Sequence, residues 1–329
     1  MQKKKVVEAM EMSYTRKMGN PKTHETENEL IVLLPVGCYW AKKHGACSYC
    51  GYQPLVDKIL SEYEKMELID MVKHEINRQE EPFQRISFFV GGSFFEIPAK
   101  ERIEIFKYVN TLGINEVFIE TRPEFINTKN VTQLRDLLDN KSFWIAIGLE
   151  SWDEKIRNEV HRKGIPEKTF INAMQILKEA GIHPLVYVFF KPPLEHISDR
   201  EAFEEAMETI KYSFRHGAAA VEIESGYIVE NSYMKKLYDA KKYTPLKLWT
   251  IQHLLKEATQ LKVGDIRIAY FTDTPAPIAG PANCGKCNDQ MFELLQRYRM
   301  KMEQDLLYEE VDCPCKKEWQ EEFFSNPES

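Results

Sequence analysis

The sequence has no long uncharged hydrophobic run among its 329 residues, so no membrane-spanning helix is expected. Its first 20 residues contain no apolar stretch that would indicate a secretory signal peptide. Basic residues are not in excess either. The 44 Lys and Arg against 51 Asp and Glu give a net charge of −7, which argues against bulk coating of nucleic acid. The cytoplasm is the expected compartment, and thiols stay reduced there.

Cysteine is scarce, and its seven copies are grouped rather than spread along the chain. Cys38, Cys47 and Cys50 follow a C-x8-C-x2-C spacing, whereas a disulfide framework needs pairs. Three close thiols therefore indicate a shared metal. They suit an iron–sulfur cluster whose fourth iron lacks a protein ligand. A structural zinc site would need a fourth ligand, and His44 in the same loop is the candidate.

Short apolar runs rich in β-formers alternate with amphipathic segments. Predicted strands cover residues 30–36, 85–91, 115–121, 142–150, 183–190 and 219–225, with 267–273 as a candidate seventh. Predicted helices include 56–76 and 167–182, the second with Gly181 as its C-terminal cap. Repeated strand–helix units imply right-handed crossovers and a parallel sheet. The sequence therefore predicts an α/β fold, a partial (β/α)6 TIM-like barrel with functional groups after the strand carboxyl ends.

The pattern changes towards both ends of the chain. Residues 1–28 are predicted to be an N-terminal extension, 29–263 the barrel core, and 264–329 a small appendage with a helix at 289–310. The appendage holds four cysteines in C-x2-C and C-x-C pairs: Cys284, Cys287, Cys313 and Cys315. Their number matches a closed tetrahedral zinc site, and a second iron–sulfur cluster is the alternative.

The three-cysteine loop resembles that of the radical S-adenosylmethionine (SAM) superfamily. A glycine precedes it, it follows the first strand of a partial barrel, and Tyr49 stands before the last cysteine. The spacing departs from the usual C-x3-C-x2-C and is similar to the branch of the elongator catalytic subunit. The archaeosine-forming radical SAM enzymes (RaSEA) are closer, because they share a GP-x-NC-x2-C run and a terminal C-x-C-K before a tryptophan, here Trp319. The second resemblance spans about residues 28–322.

The resemblance implies a [4Fe–4S] cluster and SAM as cofactors. Cys38, Cys47 and Cys50 would ligate three irons, and SAM would chelate the fourth through its amino and carboxylate groups. A glycine-rich motif after the second strand, Gly91-Gly92-Ser93, would bind the methionyl amine. Without the resemblance, two adjacent glycines indicate only a turn through which a backbone approaches a ligand closely.

Polar residues after the third to fifth strands match further superfamily motifs. By resemblance, Glu120 receives the SAM ammonium and Glu150 of "GLES" accepts from the ribose hydroxyls. Arg162, about one helix later, would pair with the SAM carboxylate. Otherwise Glu120 and Arg122 would form a buried ion pair by strand alternation, and Arg162 would be a surface residue. Arg122 and Lys191 are candidate substrate contacts, Lys191 for a carboxylate or phosphate at the barrel mouth.

The resemblance also implies an activity and partners. A reduced cluster would cleave SAM to methionine and a 5′-deoxyadenosyl radical, which abstracts hydrogen from the substrate. In the archaeosine family that substrate is tRNA carrying a lysine adduct of 7-cyano-7-deazaguanine, and the enzyme is a carbon–nitrogen lyase. The implied partners are tRNA, the tRNA lysine transferase, and an electron donor such as ferredoxin or flavodoxin. No membrane partner is expected.

Two other functions stay open from the residues. A radical SAM enzyme of the same architecture would act on a small molecule or a peptide, with Lys191 and the loops setting specificity. A non-enzymatic zinc-binding interaction module would use both cysteine clusters as zinc sites. Elongator-like acetyl transfer is not expected, because the remaining length holds no acetyl-coenzyme A domain.

Overall fold

The computed structural model describes residues 12–51, 57, 66–271 and 276–325. Eight strands form one sheet in sequential order, in which β1 is antiparallel to β2 and all later neighbours are parallel. The strands are β1 (Ser13–Gly19), β2 (Thr26–Leu33), β3 (Arg85–Phe89), β4 (Glu116–Thr121), β5 (Ser142–Glu150), β6 (His183–Phe189), β7 (Ala220–Glu224) and β8 (Asp265–Ile268). The sheet curls into a half-barrel.

Helices follow most of the parallel strands. They are α1 (Tyr39–His44), α2 (Leu68–Asn77), α3 (Ala99–Asn110), α4 (Thr128–Arg135), α5 (Glu167–Glu179), α6 (Asp199–Arg215), α7 (Tyr233–Asp239), α8 (Leu248–Gln260), α9 (Asn288–Lys301) and α10 (Cys315–Phe324). Short 3-10 turns lie at Phe94–Glu96, Pro123–Phe125 and Gln304–Tyr308, and a π-helical turn at Ile156–Val160. None of the helices in the described ranges is long and apolar enough to cross a membrane.

The two faces of the sheet differ in character. Alternate residues such as Val117 and Ile119 of β4 join the large core between the sheet and its helices. Phe118, on the opposite face, belongs to a small cluster in the lumen of the half-barrel. Glu120 shares that lumen face, because side chains alternate along a strand. The lumen therefore combines a few apolar side chains with charged ones, and this is where a site is expected.

The strand predictions are confirmed. The six predicted strands are β2 to β7, and the candidate seventh is β8, although it ends at Ile268. Sequence reasoning missed β1, whose letters SYTRKMG are mostly polar and contain no apolar run. Because β1 lies within 1–28 and β8 within 264–329, the sheet continues across both predicted domain boundaries.

The predicted helices are modified in detail. Helix 167–182 is α5, and Gly181 beyond its end adopts the positive φ of 64° that a glycine cap permits. The predicted helix 289–310 is interrupted, because Met302 adopts a left-handed conformation after α9 and a 3-10 turn follows. The start of the predicted helix 56–76 lies outside the described residues, and its end is α2.

Candidate functional site

The three-cysteine loop follows the carboxyl end of β2. Cys38 caps the N-terminus of α1, where its sulfur accepts the backbone N–H of Ala41 at 3.4 Å. The backbone N–H of Cys50 donates to the carbonyl of Cys47 at 3.0 Å, which closes a tight turn. All three thiols are partly exposed and free of disulfides. Burial is the main reason why the pKa of Cys38 is raised.

Gly92 brings the loop after β3 against this cysteine loop. A β-carbon at Gly92 would lie 2.4 Å from the Gly37 carbonyl oxygen and 2.7 Å from the Cys38 α-carbon. The two loops are also joined by Glu96, whose carboxylate accepts the backbone N–H groups of Ser93 at 2.7 Å and Tyr39 at 2.6 Å. The glycine therefore forms a cradle that a side chain would fill.

Glu96 was missed by sequence reasoning, although its signal was present. Ser93 and Glu96 have the spacing of a capping box, and both reciprocal hydrogen bonds form around the 3-10 turn. The buried Ser93 hydroxyl also accepts the backbone N–H of Arg122 at 2.9 Å. Gly91 adopts a positive φ of 71°, which favours glycine. The predicted glycine motif is thus a rigid loop beside Cys38.

Tyr49 and Glu150, predicted separately, meet at the carboxyl end of β5. The Tyr49 hydroxyl donates to the Glu150 carboxylate at 2.8 Å. The ammonium of Lys163 donates to the same carboxylate oxygen at 3.0 Å and to the Tyr49 hydroxyl at 3.2 Å. Burial lowers the pKa of Lys163, but the Glu150 carboxylate and Cys47 together raise it, and the net pKa is raised. A β-carbon at Gly148 would lie 2.7 Å from the Lys163 nitrogen.

Lys163 therefore stands where sequence reasoning placed no residue. The neighbouring Arg162, predicted to bind the SAM carboxylate, is exposed and packs its guanidinium 4.6 Å from the ring centre of Tyr233. Its own backbone has a positive φ of 59°, and its carbonyl accepts the indole N–H of Trp40 at 2.8 Å. The carboxylate role of Arg162 stays a prediction, and Lys163 is the cation that contacts Glu150.

Glu120 and Arg122 do not form the ion pair that strand alternation suggested. The reason is that β4 ends at Thr121, so Arg122 already belongs to the following turn. Arg122 instead pairs with Glu124 and stacks 4.3 Å from the Trp40 ring centre. Glu120 remains in the lumen, where burial raises its pKa to about 8. Its role towards the SAM ammonium, and a substrate contact by Arg122, stay predictions.

Lys191 and Ser151 have partners inside the protein. Lys191 is 2% exposed, and its ammonium pairs with Asp199 at 2.6 Å. A substrate contact by Lys191 would require that pair to open, and it stays a prediction. The Ser151 hydroxyl donates to Glu205 at 2.6 Å. Burial raises the pKa of the Glu205 carboxyl to about 7.

The loop cysteines fit an iron–sulfur cluster better than a single zinc ion. Thiolates on one zinc, each about 2.3 Å from the metal, lie within about 4 Å of one another. Among the described residues, only the C-terminal quartet brings such a set of ligand atoms within 4.8 Å. The proposed fourth ligand, His44, is exposed and stacks on Trp40 at 4.1 Å. Thiolates that bind different irons do not need that close approach.

The C-terminal cysteines come together as their number predicted. Sulfur–sulfur distances are 3.5 Å for Cys284 and Cys313, 3.7 Å for Cys287 and Cys315, and 3.4 Å for Cys313 and Cys315. These distances are close to the edge of a tetrahedron around one zinc, about 3.8 Å. A hydrogen bond from the Lys286 backbone is the main cause that lowers the pKa of Cys284 to about 6. The geometry favours one ion over a second iron–sulfur cluster.

The comparisons with known proteins agree with this geometry. Two similar proteins are archaeosine synthase subunits beta. The one from Methanosarcina acetivorans is 27% identical, and the match covers 90% of this chain and 84% of the relative. The one from Thermococcus kodakarensis is also 27% identical, and the match covers 88% of this chain and 90% of the relative. The fold is similar to archaeal Elp3 from Methanocaldococcus infernus, with a TM-score of 0.54, 16% identity and coverage of 74% of this chain and 61% of that one. The family model described as "Radical SAM superfamily" matches residues 35–210. Since that match covers just over half of the sequence, the chain belongs to the radical SAM superfamily.

Proposed function

We propose that this radical SAM enzyme acts in tRNA modification, as a carbon–nitrogen lyase that forms archaeosine from a lysine adduct of 7-cyano-7-deazaguanine in tRNA. Superfamily membership implies a [4Fe–4S] cluster and SAM as cofactors. The observation that carries the proposal is the meeting of the cysteine loop, the Gly92 cradle and the Glu150 group at one end of the half-barrel. The names of the two archaeosine synthase relatives support the substrate.

Different residues would bind the cluster and SAM. Cys38, Cys47 and Cys50 would ligate the cluster, because their thiols are partly exposed on one loop and form no disulfide. When bound, the cluster supplies the electron that cleaves SAM to methionine and a 5′-deoxyadenosyl radical. The Gly91–Gly92 backbone approaches the cysteine loop closely enough to present its polar groups to a ligand there.

Glu150 would accept hydrogen bonds from the two ribose hydroxyls of SAM. It is 4% exposed and already accepts from Tyr49 and Lys163, so its carboxylate is fixed in orientation. A carboxylate has about four acceptor positions, which leaves capacity for a donor from the cofactor. Tyr49 and Lys163 would therefore act as positioning residues for Glu150. The Lys163 ammonium forms an ion pair with this buried carboxylate at 3.0 Å.

The acidic balance of the chain supports a partner in tRNA binding. A net charge of −7 gives little bulk attraction to phosphates. The relatives are named as subunits, and a partner subunit such as the tRNA lysine transferase would supply RNA affinity. Such a partner would also share the cost of extruding the modified base, a few kcal/mol. A ferredoxin or flavodoxin would donate the electron, in the cytoplasm.

The test is anaerobic turnover with defined tRNA. Wild-type protein and Cys47→Ala are reconstituted with iron and sulfide, reduced with dithionite, and given SAM with tRNA that carries or lacks the lysine adduct. We expect 5′-deoxyadenosine and archaeosine only from the wild type with the adduct. If 5′-deoxyadenosine forms but the adduct stays intact, the tRNA substrate is wrong and a small molecule or peptide takes its place. A colourless protein that binds only zinc would favour the interaction module.

A further inference from the structure

The lumen of the half-barrel ends in a small charged cavity on the side away from the cofactor residues. Its volume is about 30 Å³, and its charged lining includes Arg16, Glu29, Arg85, Glu222 and Arg267. Arg85 is the first residue of β3, so the cavity lies towards the amino ends of the strands. The proposed cofactor residues follow the carboxyl ends. None of the proposed cofactor residues lines the cavity.

Two of the four arginines that line the cavity form ion pairs, and a third, Arg299, donates to neutral oxygens. Arg16 forms an ion pair with Glu29, and Arg85 forms one with Glu116. Arg267 differs, because its Nε and Nη1 have no hydrogen-bond partner among the described residues. Its only such contact there is a long one, 3.4 Å from Nη2 to Asp265.

Arg267 is 6% exposed and is held in place by its packing. Its guanidinium lies 4.7 Å from the ring centre of Trp144, and the group lines the cavity. Buried guanidinium nitrogens are nearly always hydrogen-bonded, and an orphaned pair needs an explanation. A carboxylate is the group whose geometry and charge match a guanidinium best. The cavity is therefore built to receive an acidic ligand group.

Glu222 supplies the opposite charge beside Arg267. The two residues are register partners on β7 and β8, so their backbones are neighbours in the sheet. Glu222 lines the same cavity, and no described residue forms a hydrogen bond with it. Glu224 lies two residues further along β7 on the same face, so its α-carbon is about 7 Å nearer to the cofactor end of the lumen than that of Glu222. Burial, then the nearby Glu222 and Glu150 carboxylates, raise the pKa of Glu224.

We propose that this cavity binds the free α-amino-acid end of the substrate, with the carboxylate on Arg267 and the ammonium on Glu222. The adjacent opposite charges match a zwitterion whose two groups sit on one carbon. The cavity volume of about 30 Å³ holds about two waters, which suits a carboxylate and excludes a nucleotide phosphate with its sugar. With its α-amino-acid end bound there, the substrate would extend its side chain through the lumen to the cofactor end.

The identity of that amino acid as lysine rests on the proposed function. In a lysine adduct linked through its side-chain nitrogen, the α-amino-acid end lies four methylenes from the reacting bond. The cavity would then hold the end that does not react, which orients the chain for hydrogen abstraction above it. The amino-acid specificity itself rests only on Arg267, Glu222 and the cavity.

The first experiment uses the wild-type holoprotein, with cluster and SAM, in anaerobic titration calorimetry. The probes are L-lysine, 1,5-diaminopentane, which lacks the carboxylate, and 6-aminohexanoate, which lacks the α-amino group. We expect L-lysine to bind about tenfold more tightly than either analogue, because each leaves one buried charge unpaired. Equal affinities for the three, or no heat from L-lysine at millimolar concentration, would overturn the proposal.

Variants then assign the effect to the cavity. Arg267→Gln and Glu222→Gln should each weaken L-lysine about tenfold or more, whereas Arg215→Gln, an exposed arginine on α6, should bind as the wild type does. Arg267→Lys retains the charge and serves if the glutamine variant does not fold. L-lysine affinity in Arg267→Gln equal to that of the wild type would overturn the proposal. Loss of the tRNA reaction in the wild type, with Arg267-dependent L-lysine binding intact, would refute only the tRNA substrate.

Discussion

Replacing Gly92 with alanine tests whether the cradle positions the cluster loop. The new β-carbon would lie 2.4 Å from the Gly37 oxygen, where ordinary contact begins at 3.4 Å, so the loops must separate by about 1.0 Å (3.4 − 2.4). The Gly37 oxygen and the Cys38 α-carbon, which would lie 2.7 Å from the new β-carbon, are both backbone atoms and cannot move aside as a flexible side chain does. Overpacking of this kind costs about 1–3 kcal/mol. At about 2 kcal/mol, the population of the cluster-ready loop falls about thirtyfold.

Gly113→Ala is the matched control, because a β-carbon there meets no atom within 4 Å. Both variants are reconstituted anaerobically, and iron, acid-labile sulfide and 5′-deoxyadenosine formation are measured together with thermal unfolding. We expect Gly92→Ala to lose most of the cluster and of SAM cleavage, and Gly113→Ala to match the wild type. A full cluster and SAM cleavage at the wild-type rate in Gly92→Ala would show that the close approach at Gly92 does not position the cluster loop.

Three further changes test other parts of the site. Lys163→Met should lower the free energy of unfolding in urea by about 3–5 kcal/mol, because it leaves the buried Glu150 carboxylate without its cation. Arg162→Gln should change that free energy by less than about 0.5 kcal/mol. Similar losses in both variants would contradict the assignment of Lys163 as the partner of Glu150. Cys287→Ser should release one zinc per chain by mass spectrometry and lower the melting temperature, without reducing the iron content of the other cluster. Burial raises the pKa of Glu205 from 4.5 to about 7, so the wild type should lose roughly 3 kcal/mol of unfolding free energy as the pH rises from 4.5 to 7. Glu205→Gln should abolish this loss, whereas the control Glu204→Gln, at an exposed position, should retain it.

Local patterns in the sequence were sufficient for the parallel part of the sheet. Each of β2 to β7 is a short apolar run between helix-patterned segments, and that pattern requires no knowledge of distant residues. β1 was missed because it is an edge strand with polar residues, and tertiary contacts such as its pairing with β2 determine its place. Edge strands of this kind are decided by their neighbour in space.

The chemistry of the cofactor end was also contained in short segments. Cys38, Cys47 and Cys50 and the pair Gly91–Gly92 lie in single loops that follow strands, and Glu150 is the last residue of β5. Because parallel strands end at one edge of the sheet, the fold class alone predicted that these loops meet. Local sequence patterns were thus sufficient to predict the fold class and the elements of the proposed cofactor site.

Which charges face one another depends on contacts between residues that are distant in the sequence. Lys163 and not Arg162 contacts Glu150, because the turn after the π-helical segment points one side chain inwards and its neighbour outwards. Arg267 and Glu222 become partners through the pairing of β7 with β8, although 45 residues separate them (267 − 222). Such pairings follow from strand register and chain reversal, which span the whole half-barrel, whereas sequence patterns report only what neighbouring residues do.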